Sequence, residues 1–185
     1  KKIGSIEARL LSNTDSRIFS DSTDWLVGLY HLSQEEDLTR NYTFLAGPFS
    51  SQYDFNSTAL FVQLDSELND QWQLSWGGRV EKRRTDYDNS DSISFSPSET
   101  YWGGRVALKR LLGKNTMTYL SLARGYKAGG FNTDGSLPIN LREFDSETLL
   151  EWELGIKSTL MDNQLTLSGA FFYDQRDDQQ VKSSF

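Results

Sequence analysis

A chain of 185 residues has room for one domain with a core, and a formal charge of −7 argues against a nucleic-acid partner, which calls for a basic face. The absence of cysteine excludes a disulfide frame, a thiolate metal site and a cysteine nucleophile. Mean hydropathy is −0.56, and no run of 18 apolar residues exists, so no helix can cross a membrane. A transmembrane β-barrel escapes that argument, because only every second residue of its strands faces lipid.

The opening, Lys1-Lys2-Ile3-Gly4, carries no apolar signal segment and implies a mature or truncated product. From there on, two-residue alternation governs the chain and predicts about eight strands. The first two lie near 3–12 and 24–36, joined by a connection of intermediate length at 13–23. A long polar stretch at 37–56 precedes a strand near 57–68, which a tight turn, Leu68-Asn-Asp-Gln71, joins to the next. That strand, near 71–87, places Trp72, Leu74, Trp76 and Val80 on one face against Gln73, Ser75, Arg79 and Glu81 on the other. At roughly 17 residues it exceeds the ~9–11 that cross the hydrocarbon layer. Its apolar face duly ends at Glu81-Lys-Arg-Arg-Thr-Asp86.

A second long loop at 88–98 leads to strands near 99–111 and 116–127, joined by Leu112-Gly-Lys-Asn115. A third, at 128–146, leads to strands near 147–160 and 164–176, joined by Met161-Asp-Asn-Gln164. In the strand near 147–160 Leu150, Trp152, Leu154 and Ile156 oppose Glu151, Glu153, Gly155 and Lys157. No segment reads as a helix, and Pro48, Pro97 and Pro138 all fall in connections, where a missing N–H harms no ladder. Short turns at one end and long loops at the other are the pattern of an outer-membrane barrel, although a soluble up-and-down meander can also produce it. Trp25 and Trp72 near the short turns, with Tyr101, Trp102 and Tyr173 near the long loops, would form its two aromatic girdles.

Chemical motifs are sparse. The single histidine, His31, lies on a strand without a partner histidine, which suits a structural role. Asp86-Tyr-Asp-Asn-Ser-Asp91 lacks the glycine and terminal glutamate of a calcium loop, and Gly113-Lys-Asn-Thr116 lacks the first glycine of a phosphate loop. Gly125, Gly129 and Gly130 do not fit a dinucleotide fingerprint. Glu151 and Glu153 stand about 6–7 Å apart along one strand face, a spacing open to a glycosidase. Cross-strand pairing with Lys157, Arg105, Lys109 or Arg79 on the same interior side is the simpler account. No catalytic set, cofactor site or metal site emerges, and the chain is expected not to be an enzyme.

One succession is more specific. Tyr119-Leu-Ser-Leu-Ala-Arg-Gly-Tyr-Lys-Ala-Gly-Gly-Phe-Asn132 runs from an alternating strand into a glycine-rich turn. Glu147-Thr-Leu-Leu-Glu-Trp-Glu-Leu-Gly-Ile-Lys-Ser158 follows, then Leu165-Thr-Leu-Ser-Gly-Ala-Phe-Phe-Tyr-Asp174. In that order, and with Trp25-Leu-Val-Gly-Leu-Tyr30 upstream, they resemble the barrel of TonB-dependent outer-membrane receptors, from about Glu7 to Gln180. The resemblance implies an all-β, antiparallel, up-and-down transmembrane barrel in the bacterial outer membrane, in contact with its lipid. It implies energy-coupled uptake of a bulky nutrient such as a ferric siderophore, with the TonB energy-coupling protein docking on a part N-terminal to this chain.

Family barrels have twenty-two strands around an N-terminal plug; residues 1–185 would be a partial barrel domain of about eight strands, with no plug. Ser183-Ser184-Phe185 stops short of where such barrels close, although a terminal Phe is typical of outer-membrane barrels. A small closed barrel with a structural or adhesive role is the alternative, and a barrel enzyme a third option that no catalytic set supports. Receptors of this kind grip ligand with aromatic and polar residues of outer loops and plug. Here that implies Tyr42, Phe44, Phe49, Tyr53, Phe55, Phe131 and Asn132.

Overall fold

The computed structural model describes residues 1–41, 47–132, 138, 141–162 and 164–181. Its framework is eight long antiparallel strands, paired in chain order: β1 (Lys2–Leu11), β2 (Thr23–Arg40), β3 (Phe49–Asn69), β4 (Trp72–Asn89), β6 (Ser98–Leu111), β7 (Thr116–Lys127), β10 (Glu147–Leu160) and β11 (Leu165–Asp177). Three short strands decorate the outer connections. β5 (Ser94–Phe95) adds to β4, and β8 (Gly130–Phe131) pairs with β9 (Glu143–Phe144). Among the described residues β1 and β11 are the two edges of an open sheet, so a closed eight-stranded barrel is not what forms.

The strand expectations hold along most of the chain, with one substantial correction. The stretch 37–56 is not a single long loop: β2 and β3 extend each other's ladder to the pair Arg40–Phe49. The polar residues there misled because a strand standing above the membrane has water on its outward side, and the alternation of apolar residues disappears. Likewise 88–98 and 128–146 contain β5, β8 and β9. All three prolines lie outside the strands, as expected.

The short turns follow local chemistry. Asn69 Oδ1 accepts the backbone N–H groups of Gln71 and Trp72 at 2.9 and 3.1 Å, closing the β3–β4 hairpin. Gly113, with φ of +76°, supplies the left-handed residue of the β6–β7 turn.

The register reveals the tilt. Hydrogen-bonded partners run from Leu10 on β1 through Val27, Val62, Gly78, Gly104, Arg124 and Leu150 to Gln175 on β11. That line starts one residue above the short-turn end of β1 and finishes ten above that of β11. Nine residues of climb over seven strand spacings, at ~3.3 Å and ~4.8 Å each, correspond to a tilt of about 40°. Transmembrane barrels require such a tilt.

Each strand then contributes one residue in two to an outward apolar band. Val27 and Leu29, Leu60 and Val62, Trp76 and Val80, Val106 and Leu108, Leu120 and Leu122, Leu154 and Ile156, and Phe171 share that face by direct register. Leu154 and Phe171 remain 55% and 71% exposed, which is costly in water and favourable against lipid. Trp102 lies nine residues above its short-turn end, and Arg124, Trp152 and Tyr173 eight above theirs. With the tilt, these four stand roughly 20 Å above the lower strand ends, close to the top of an apolar band ~25 Å tall. Trp25 and Trp72 mark the bottom. Tyr101 does not belong to the upper girdle: it faces inward and is 5% exposed, because its odd position in β6 puts it opposite Trp102.

Candidate functional site

On the inner face the polar residues predicted there are present, but they pair differently. Arg79 donates through Nε and Nη2 to Glu81 Oε2 at 3.1 and 2.9 Å, two residues along its own strand. Glu81 also accepts from Ser57 at 2.5 Å and from the Tyr126 phenol at 2.8 Å, so its carboxylate ties β3, β4 and β7 together. Arg79 lies over Tyr30 of β2, 5.5 Å from the ring centroid, and Tyr126 stacks on Tyr101 of β6 at 5.0 Å and 10°.

Arg124 lies over Trp102 on the lipid side, whereas Tyr126 turns inward. The β6–β7 ladder ends at the pair Gly104–Arg124, while β7 stays paired with β10 as far as Lys127.

Glu153 accepts from Tyr119 at 2.6 Å, Lys109 donates to Gln73 at 3.1 Å, and Arg105 to Ser121 at 3.4 Å. The expected ion pairs of Glu151 and Glu153 with Lys157, Arg105, Lys109 or Arg79 do not form: Arg79 pairs with Glu81, and Glu153 accepts from Tyr119 instead. Gly155 lies beneath the Tyr119 ring, which a Cβ would meet at 2.3 Å, and Gly28 lies beneath Phe61 in the same way. These rings cover bare backbone on the neighbouring strand, a device that pins register.

Replacing Glu81 with leucine should leave Arg79, Tyr126 and Ser57 without their shared acceptor. The expected cost is about 2–3 kcal/mol, the scale for stranding partly buried polar groups. Urea unfolding of the intact protein measures it, and a change below about 0.5 kcal/mol would show that the network is dispensable.

Toward the outer end of the inner face lies an aromatic cluster. Phe131 of β8 stacks on Phe95 of β5 with centroids 4.9 Å apart and planes 12° apart. It meets Tyr87 of β4 at 4.9 Å and Tyr53 of β3 at 6.4 Å. Phe55, one step below Tyr53 on the same face, is buried with the Arg83 guanidinium over its ring at 4.3 Å. Among the described residues Phe55, Ala59, Tyr87, Phe95 and Tyr101 are the buried apolar ones, and four of the five belong to this outer region.

Of the seven residues expected to contact ligand, Tyr53, Phe55 and Phe131 converge here, although the first two stand on a strand and not in a loop. Phe49 opens β3, and Asn132 follows β8 with its N–H on the Arg142 carbonyl at 2.6 Å. Tyr42 and Phe44 lie outside the described residues. Sequence reasoning missed Tyr87 and Phe95. The signal for Tyr87 was present in Arg83, Thr85 and Tyr87, which continue the inward series of β4. Phe95 becomes its partner because Asn89 Oδ1 accepts the N–H groups of Asp91 and Ile93 and folds the turn back.

Outside the wall, Arg84 donates to Asp86 at 2.9 Å and holds its carboxyl below the usual range. His31 shares a hydrogen bond with Thr58 at 2.9 Å, a structural role. No group of metal-ligating residues occurs among the described residues. What the site offers is ring stacking with a cation close by.

The comparison with known families is decisive. Residues 6–185 match the model of the TonB dependent receptor-like β-barrel. The chain belongs to this family. Its all-β wall is therefore part of a receptor barrel of the bacterial outer membrane, with the short turns on the periplasmic side. The pesticin receptors of Yersinia enterocolitica and Yersinia pestis are 23% identical over 172 residues, covering 88% of this chain and 25% of theirs. The chain thus spans about a quarter of the length of the curated relatives it matches.

Among solved structures, the ferric yersiniabactin uptake receptor of Yersinia pestis aligns with a TM-score of 0.74 at 24% identity, covering 98% of this chain and 29% of that one. The alcaligin outer-membrane receptor of Bordetella pertussis aligns at 0.68 and 17%, covering 98% and 30%. The ferric-catecholate import receptor of E. coli aligns at 0.68 and 14%, covering 95% and 30%. These alignments establish the shared barrel fold.

Proposed function

We propose that the intact protein takes up a ferric siderophore across the outer membrane, with energy supplied by the TonB protein through a region outside these 185 residues. In this reading the chain forms part of the barrel wall and lends its outer mouth to ligand binding, and it performs no catalysis. The observation that carries the proposal is the aromatic cluster of Tyr53, Tyr87, Phe95 and Phe131 on the inner face at the outer end, with Arg83 over Phe55 one step below it. Rings and a cation suit a bulky anionic chelate with flat faces. The names of the similar structures, a ferric yersiniabactin uptake receptor, an alcaligin receptor and a ferric-catecholate import receptor, support the ligand class without choosing among its members.

The test uses the full-length receptor in detergent and a panel of ferric catecholate, hydroxamate and phenolate chelates. Replacing Tyr53 and Tyr87 together with alanine should weaken binding of the preferred chelate by roughly thirtyfold, or about 2 kcal/mol for two lost ring contacts. Unchanged affinity would move ligand binding to other parts of the receptor and leave this segment as scaffold.

A further inference from the structure

Two cations stand beside Trp102 at the top of the outward apolar band. Arg124 of β7 crosses the ladder to lay its guanidinium over the indole, 4.0 Å from the ring centroid, and donates Nη1 to the Trp102 carbonyl. A guanidinium carries five N–H donors. That carbonyl is the one acceptor Arg124 has among the described residues, so its other donors are left without a protein partner.

Lys82 of β4 flanks the indole from the other side. Val80 faces Trp102 in the β4–β6 register and Lys82 faces Thr100, which makes Lys82 a diagonal neighbour of the ring. Lys82 is exposed, and its ammonium has no hydrogen bond or ion pair among the described residues. Its ladder neighbours Thr58 and Thr100 are exposed hydroxyls. Arg84, the next outward cation of β4, is already held by Asp86 at 2.9 Å.

Height decides what these donors meet. Lys82 lies ten residues above the short-turn end of β4, against nine for Trp102 and eight for Arg124 above theirs. At the tilt of the wall these positions stand about 20–25 Å up, at the border between an apolar band ~25 Å tall and the headgroups. Higher on the same face the sign changes, for Glu35, Asp54 and Asp86 face one another across β2, β3 and β4. An anion on this face is therefore confined to the tier of Lys82 and Arg124. Donors without an acceptor are costly at such a border, and headgroup phosphates supply oxygens there that take short, charge-assisted hydrogen bonds.

We propose that Lys82, Arg124 and Trp102 dock the phosphate of an anionic lipid in the outer leaflet, its acyl chains lying down the band over Val80, Trp76 and Val106. The guanidinium offers its planar fork and the ammonium a point charge, while the indole between them holds Arg124 in place and keeps water off its face.

The experiment uses the full-length receptor in neutral detergent, titrated with dioleoyl phosphatidic acid and read by native mass spectrometry. Lys82→Gln and Arg124→Gln should each weaken the first binding event roughly fivefold, and together by about the product of the two. Trp102→Leu, which keeps both charges and removes the platform under Arg124, should weaken it by less. Lys109→Gln makes the same charge change on the inner face and should have no effect. Lys82→Gln, at an exposed position, serves if Arg124→Gln fails to fold.

Dioleoyl phosphatidylcholine, whose choline offsets the phosphate, should bind roughly tenfold more weakly than phosphatidic acid. Excess inorganic phosphate should not displace the lipid, because the chains contribute to docking. Phosphatidic acid binding that the double variant leaves unchanged, or lowers no more than Lys109→Gln does, would overturn the proposal. Displacement by inorganic phosphate would make this a free-anion site and refute the lipid. Equal binding of phosphatidylcholine would reduce the face to unselective lipid contact.

Discussion

Replacing Leu154 with arginine should destabilise the assembled receptor by about 2–4 kcal/mol, the range measured for a cation on the lipid face of a barrel near the bilayer midplane. Leu154 lies six residues above the short-turn end of β10, which at the observed tilt is about 15 Å into a band ~25 Å tall. Its outward neighbours Leu120 and Phe171 are apolar, so the new charge finds no partner across the ladder. Glu151→Gln, on the inner face of the same strand, should change stability by less than about 0.5 kcal/mol. Urea unfolding in lipid vesicles compares the two. An arginine at 154 as harmless as glutamine at 151 would mean that this face does not meet lipid.

The 185-residue chain expressed alone should fail to behave as a monodisperse monomer. Its sheet ends on β1 and β11, 10 and 13 residues long, whose outer N–H and C=O groups have no partner among the described residues. In hydrocarbon each unsatisfied group costs several kcal/mol, and in water the same edges template association. Light scattering in detergent should therefore show oligomers or aggregates, and supplying the flanking strands should restore a single species. A heat-modifiable monomer would instead show that the two edges can meet in a small closed barrel.

Within the membrane the alternation of the strands was legible residue by residue. Trp76 and Leu154 point outward and Glu151 and Glu153 inward because a strand in a barrel wall has lipid on one side and a polar interior on the other. Above the membrane that contrast vanishes: with water outside, Asp37, Gln52 and Asp54 read as loop although they belong to β2 and β3. The short turns were legible for a local reason, since Asn69 and Gly113 carry their own geometry.

The binding region was only half legible. Aromatic richness singled out Tyr53, Phe55 and Phe131, but their meeting depends on contacts between residues up to 78 positions apart. The same holds for Glu81, whose partners Ser57 on β3 and Tyr126 on β7 come from opposite sides of its own strand.

By itself, the sequence determined that the chain is built of antiparallel strands joined by tight turns at one end and long connections at the other, and the resemblance of its Tyr119–Asp174 succession to TonB-dependent receptors pointed to a transmembrane barrel wall. Only the tertiary structure decided how the wall leans, which polar groups satisfy one another, and that Phe131 rests among Tyr53, Tyr87 and Phe95. Period and turn type are properties of neighbours along the chain, whereas shear and ring packing arise when strands slide into register, and register is set by all the strands together.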